Sequence, residues 1–266
     1  MNNFKLVIGE HVGNIEKIFQ MAIIDLKKQY SGTVLGVLWS IIKNIIFVFA
    51  YWFTISIGLK GASNVKYPYM AWLVTGLAAW FFIRDTLAPA AASIRRNKYL
   101  VSKMVFPIST IPTFKVIASC ISSLMFVVIV FGVAWVSGIS PSIYWIQIIY
   151  YHFAAVMLLI AISLCTSALV VMSKDIEMLI NSTIFLIFWL SPILYPVANL
   201  SAKLAFVVKL NPFYYIIEGF RASVLYNVWF WEQPVLTLYF WGFTIIMMVI
   251  GIFVHGRLRN QFVDVL

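Results

Sequence analysis

Between Lys115 and Lys174 the chain runs for 58 residues without a Lys, Arg, Asp or Glu. A bilayer hydrocarbon core about 30 Å thick takes about 20 apolar helical residues per crossing, so this stretch alone holds two crossings. Inside hydrocarbon the backbone must satisfy its own hydrogen bonds, which makes the spans helical. The remainder agrees: 63% of the 266 residues are hydrophobic and 11% are charged, a composition foreign to soluble domains. The chain reads as an all-α integral membrane protein, and its function concerns what passes through or along it.

Apolar runs predict six transmembrane helices, at about 34–58, 69–91, 110–136, 146–172, 178–195 and 235–255, in a single membrane domain. Ahead of them, residues 11–30 carry Val12, Ile15, Phe19, Ala22, Ile23 and Leu26 near helical spacing, with Glu16, Lys17, Asp25, Lys27 and Lys28 off that stripe. Such an amphipathic helix lies in the membrane interface. Between spans two and three, residues 94–107 mix Arg95, Arg96, Lys98 and Lys103 with Ile94, Tyr99, Leu100, Val101 and Phe106. This pattern makes a short amphipathic helix, suited either to a groove on a cytoplasmic partner or to contact with anionic membrane lipid. Residues 197–233 are aromatic-rich and broken by Asn211-Pro212. They are too polar for a plain span and read as short re-entrant helices, which need protein or water around them.

The net charge of +10 points to topology and away from nucleic acid, because Lys and Arg gather in the cytoplasmic loops of membrane proteins. With the N-terminus inside, Lys5, Lys17, Lys27, Lys28, Arg95, Arg96, Lys98, Lys103, Lys174, Arg257 and Arg259 face the cytoplasm. Only Lys60, Lys66, Lys203, Lys209 and Arg221 face outward. Eleven against five places both termini in the cytoplasm.

No enzyme constellation is present. His11, His152 and His255 are scattered, and Cys120 and Cys165 lie in apolar segments without C-x-x-C spacing, so neither a metal site nor a disulfide is expected. No phosphate-binding loop of the G-x-x-x-x-G-K-[ST] type occurs; work against a gradient would draw on a nucleotide hydrolysed by another chain. Asp85, the carboxylate within the apolar region, stands beside Arg84 and reads as neutralised rather than catalytic.

Aromatic residues carry the remaining signal. The first span holds Trp39, Phe47 and Tyr51; on the fifth, Asn181, Phe185, Phe188, Pro192 and Tyr195 fall at i, i+4, i+7, i+11 and i+14, one helical face. Such rings either offer flat surfaces to sugars in a conduit or pack against lipid and neighbouring helices. Lys43 shares a face with Trp39 and Phe47. An ammonium at that depth costs a few kcal/mol unless it reaches water, a carboxylate or a lipid phosphate. Glu218 and Arg221 are three apart and are expected to pair.

Taken in order, these segments resemble the membrane subunits of type-2 ABC exporters, in the branch exporting lipid-linked polysaccharides. Asp25-Leu26-Lys27-Lys28-Gln29-Tyr30 followed by Thr33-Val34-Leu35-Gly36-Val37-Leu38-Trp39 resembles that family's lead into its first span. Asn97-Lys98-Tyr99-Leu100-Val101-Ser102-Lys103 with Phe106-Pro107 resembles its coupling helix. Ser191-Pro192-Ile193-Leu194-Tyr195-Pro196 and Leu210-Asn211-Pro212-Phe213, with Arg221 beyond, resemble its fifth-span exit and outer re-entrant region.

The resemblance implies a homodimer with a pore between subunits, lined by the first and fifth spans, in the cytoplasmic membrane of a bacterium or archaeon. It implies two copies of a cytoplasmic ABC ATPase, which hold ATP and Mg, while this chain binds no cofactor. The coupling residues would be Arg95, Arg96, Asn97, Lys98, Tyr99, Leu100 and Lys103. The substrate path would include Trp39, Lys43, Phe47, Tyr51, Asn181, Phe185, Phe188 and Tyr195. The cargo would be a glycan on a polyprenyl diphosphate, such as O-antigen, teichoic acid or a capsular polymer. Many relatives carry proline where this chain has Lys43-Asn44. Alternatives are an ABC permease for a small molecule or simple lipid, and a passive channel or membrane anchor.

Overall fold

The computed structural model describes residues 2–58, 65–102 and 106–265. Every regular element among them is helical. The chain starts with α1 (Asn2–Gly13) and α2 (Ile15–Gln29), and a 3-10 turn leads into α3 (Trp39–Phe53). Then come α4 (Tyr69–Ala91), the short α5 (Ser93–Arg96) and α6 (Lys98–Ser102), and the long α7 (Thr110–Val136) and α8 (Gln147–Met172). The rest is α9 (Lys174–Leu190), α10 (Ala202–Lys209), α11 (Pro212–Arg221), α12 (Pro234–Leu258) and α13 (Phe262–Val265). The long helices fall where apolar runs predicted spans. Among the described residues, four helical stretches are long and apolar enough to cross a bilayer: Gly36–Ile57, Thr110–Val136, Ile143–Met172 and Pro234–Gln261. α9, at 17 residues, is shorter than the usual crossing.

α4 lies at the centre, against α7, α8, α9 and α11. It buries 17 of its 23 residues, whereas α3 buries three of 15 and α9 two of 17. α12 runs along α8, and Gly251 permits a close approach between them. A Cβ there would lie 2.7 Å from the Ala161 carbonyl oxygen, the small-residue contact by which helices pack where no hydrophobic force drives them together.

Three expectations about elements are revised. The N-terminal interface helix is two helices, parted at Asn14, and α2 buries Ile18, Ala22 and Leu26 against α7 while Val12, Ile15, Phe19 and Ile23 stay exposed. α2 therefore has apolar residues on two sides. One is taken by protein, and Asp25 fastens it through a 2.6 Å ion pair to Lys115 of α7. The segment expected as one coupling helix is broken at Asn97, whose side chain donates to the Ser93 carbonyl. Asn competes with helical backbone in this way. The fifth-span helix starts at Lys174 and stops at Leu190. Ser173 caps it by accepting from the Asp175 N–H, Asp175 and Glu177 suit the positive end of the helix dipole, and Pro192 denies its continuation.

Candidate functional site

α3, α4 and α9 together form an aromatic cleft of about 230 Å³, lined by Tyr51, Trp80, Arg84, Asn181, Ile184, Phe185, Phe188 and Trp189. Phe188 is its pivot. Its ring centroid lies 5.4 Å from that of Tyr51, 5.5 Å from Trp80 and 5.3 Å from Trp189. Phe188 is 6% exposed whereas Phe185 is 68% exposed, so neighbours on one helical face divide between packing and lining.

At one end of the cleft lies an ionic cluster. Asp85 accepts from Arg84 Nε through Oδ1 and from Lys43 Nζ through Oδ2, each at 2.9 Å. Arg84 Nη2 also donates to Asn44 Oδ1 at 3.1 Å, and its guanidinium sits 4.8 Å and 5.1 Å from the ring centroids of Phe81 and Phe47. Two cations share one carboxylate. Arg84 is seven residues from Ala91 at the end of α4, about 10 Å, and Lys43 four residues from Trp39 at the start of α3, about 6 Å, so both stand near the same end. On the far side of Asp85 is a second, polar cavity between α3, α4 and α7, lined by Lys43, Asn44, Ser119, Ser122 and Ser123 among others.

The expected path residues are thus partly gathered. Tyr51, Asn181, Phe185 and Phe188 line one cleft, and Phe47 flanks Arg84. Trp39 is exposed and lines neither cavity. Tyr195 lies beyond the end of α9, where its hydroxyl donates to the Leu190 carbonyl. Lys43 is ion-paired rather than open. Sequence reasoning overlooked Trp80 and undervalued Arg84, although their four-residue spacing puts both on one face of α4.

The second cluster is at the basic end. Glu177, in the first turn of α9, accepts from Arg96 at 3.0 Å and lies 3.9 Å from Arg95. Of the expected coupling residues, Arg96, Lys98 and Tyr99 are exposed, and Arg95 and Asn97 are half-buried. Leu100 is 3% exposed; it faces the interior with Ile94, Phe114 and Phe262, so the apolar side of the segment is already taken by protein. Lys103 lies outside the described residues.

A third group ties down the irregular region after α9. Arg221, fully buried, donates to the carbonyls of Pro192 and Ile193 at 2.7 Å and 2.8 Å and pairs with Glu218 at 2.7 Å. Its guanidinium lies 3.6 Å from the Trp72 ring centroid. The predicted Glu218–Arg221 pair is present, within a clamp that holds the end of α9, α11 and α4 together.

Residues 16–225, spanning α2 to the end of the clamp, match the family described as ABC-2 type transporter. The chain is a member of that family. Two proteins from Klebsiella pneumoniae, each named O-antigen export system permease protein RfbA, are 27% identical to this ABC-2 protein over 259 residues, 95% of this chain and 97% of theirs. A protein of the same name from Myxococcus xanthus is 21% identical over 203 residues, 74% of this chain and 76% of its own. Both the α3/α4/α9 cleft and the Arg95–Glu177 region of this ABC-2 protein lie inside the family match.

Proposed function

We propose that this chain is the membrane subunit of an ATP-driven exporter that carries a polyprenyl-diphosphate-linked polysaccharide across the cytoplasmic membrane. The observation that carries this reading is the near end-to-end similarity to relatives named O-antigen export permeases. Membership of the ABC-2 family implies a separate ABC ATPase, which binds ATP and Mg. This chain does no covalent chemistry. In this reading α3, α4, α7, α8, α9 and α12 are the six spans. α4 depends on protein neighbours more than on its own hydropathy. Both termini and the Arg95–Tyr99 surface are cytoplasmic, α10 and α11 lie on the outer side, and two copies enclose a path along α3 and α9.

Exposed Arg96, Lys98 and Tyr99 then supply the ATPase contact, and Leu100 supports them from beneath. The half-exposed aromatic cleft supports a path for glycan, because ring faces accept the C–H faces of successive sugars without demanding one sequence of them. Reconstitution with the cognate ATPase tests the reading: lipid-linked glycans should stimulate ATP turnover. Turnover indifferent to glycan, or a chain purified without any ATPase, would overturn it.

A further inference from the structure

The Lys43–Asp85–Arg84 cluster holds more positive charge than its own structure uses. Asp85 has one oxygen on each cation and no capacity to neutralise both. Arg84 has five N–H donors. One is spent on Asp85 and one on Asn44, so three are without a protein hydrogen-bond partner among the described residues. A guanidinium about 10 Å along a membrane helix is poorly served by hydrocarbon, and an anion is the group that would complete it. Arg84 also lines the aromatic cleft, with Trp80, Tyr51 and Phe188, and its side chain is 26% exposed.

We infer that Arg84, backed by Lys43, is a phosphate-ester acceptor at the end of the aromatic cleft and takes the diphosphate of a lipid-linked sugar, with the first sugar against the rings. Guanidinium suits this ligand because its planar fork meets phosphate oxygens two at a time. Asp85 orients the fork through Nε and Asn44 takes one Nη2 proton, which leaves both Nη1 protons and one on Nη2 for a ligand. The cleft, at about 230 Å³, is small beside sites for drug-sized ligands and fits one headgroup unit rather than a length of polymer. The inference rests on the export reading and adds to it the place where the charged end of the cargo is held.

The test uses the complex with its ATPase in phosphatidylcholine nanodiscs, titrated with a polyprenyl diphosphate bearing one hexosamine and, separately, with phosphatidylglycerol. Arg84→Gln should weaken glycolipid binding about tenfold and leave phosphatidylglycerol binding unchanged. Equal loss for both lipids would make this a general headgroup site and overturn the assignment, as would no loss at all. The double variant R84Q/D85N keeps the cluster's net charge and strands no carboxylate, so it guards against misfolding; glycolipid binding at the wild-type level in it would also overturn the proposal. A wild-type complex that ignores the glycolipid removes the export reading and the site together. Wild-type binding with an unaffected Arg84→Gln removes the site alone.

Discussion

Arg221 shows how much one side chain can hold. Its partners lie on the break after α9 and on α4, and room for it exists only because residue 76 has no side chain: a Cβ there would overlap the guanidinium. Two carbonyl hydrogen bonds prevent Arg221 from swinging aside. Gly76→Ala should therefore cost about 1–3 kcal/mol, the usual penalty for overpacking, and lower the melting temperature of the purified protein. Melting like the wild type would mean that the guanidinium has slack. Phe188→Ala should cost about 3–5 kcal/mol as a buried ring is lost, while Phe185→Ala should leave stability within about 0.5 kcal/mol and change export or basal ATP turnover. If Phe185→Ala changes neither in a folded protein, its ring serves packing alone. The Glu218–Arg221 pair was legible in the sequence because helical spacing joins neighbours. The carbonyls and Trp72, 28 to 149 positions away, were not, since no local pattern encodes them. Lys43 and Asp85 belong with the latter: each was conspicuous alone, and their meeting depends on how α3 lies against α4.

Helices were legible where apolar periodicity was long. α4 and α7 match the predicted bounds, and α9 ended early for a reason visible in Ser191-Pro192. What sequence did not disclose was the internal attachment of α5 and α6, because Leu100 and Glu177 find their partners through tertiary contact. That attachment has a mechanical meaning. Glu177 ties the first turn of α9 to Arg95 and Arg96, so in the export reading a displacement of α5 would pass to the helix bearing Phe185 and Phe188. An exposed ion pair of this kind adds about 1 kcal/mol or less to stability. Glu177→Gln is accordingly expected to leave melting temperature and ATPase recovery unchanged while lowering glycan exported per ATP hydrolysed. Glu177→Asp, which keeps a carboxylate for Arg95 and Arg96, should retain more of that ratio than Glu177→Gln. Equal loss in the two variants would show that the ion pair is not what Glu177 supplies.

For the whole molecule, the basic residues predict a topology that labelling can read. Cysteine placed at Lys17 or Arg257 should resist a membrane-impermeant maleimide in intact cells, and cysteine at Lys203 should react. Reaction at Lys17 would invert the arrangement and remove the docking surface from the ATPase. α4, packed against α3, α7, α8, α9 and α11 with 17 of its 23 residues buried, is the most enclosed of the long helices. It acts as an axle for the rest, and its backbone amides should exchange with deuterium last, with those of α3 and α9 exchanging much sooner. If a bulky passenger is to get by, the thin outer staves must yield while the axle stays still. In the export reading any yielding would fall to α3 and α9, the two lightly held walls of the cleft.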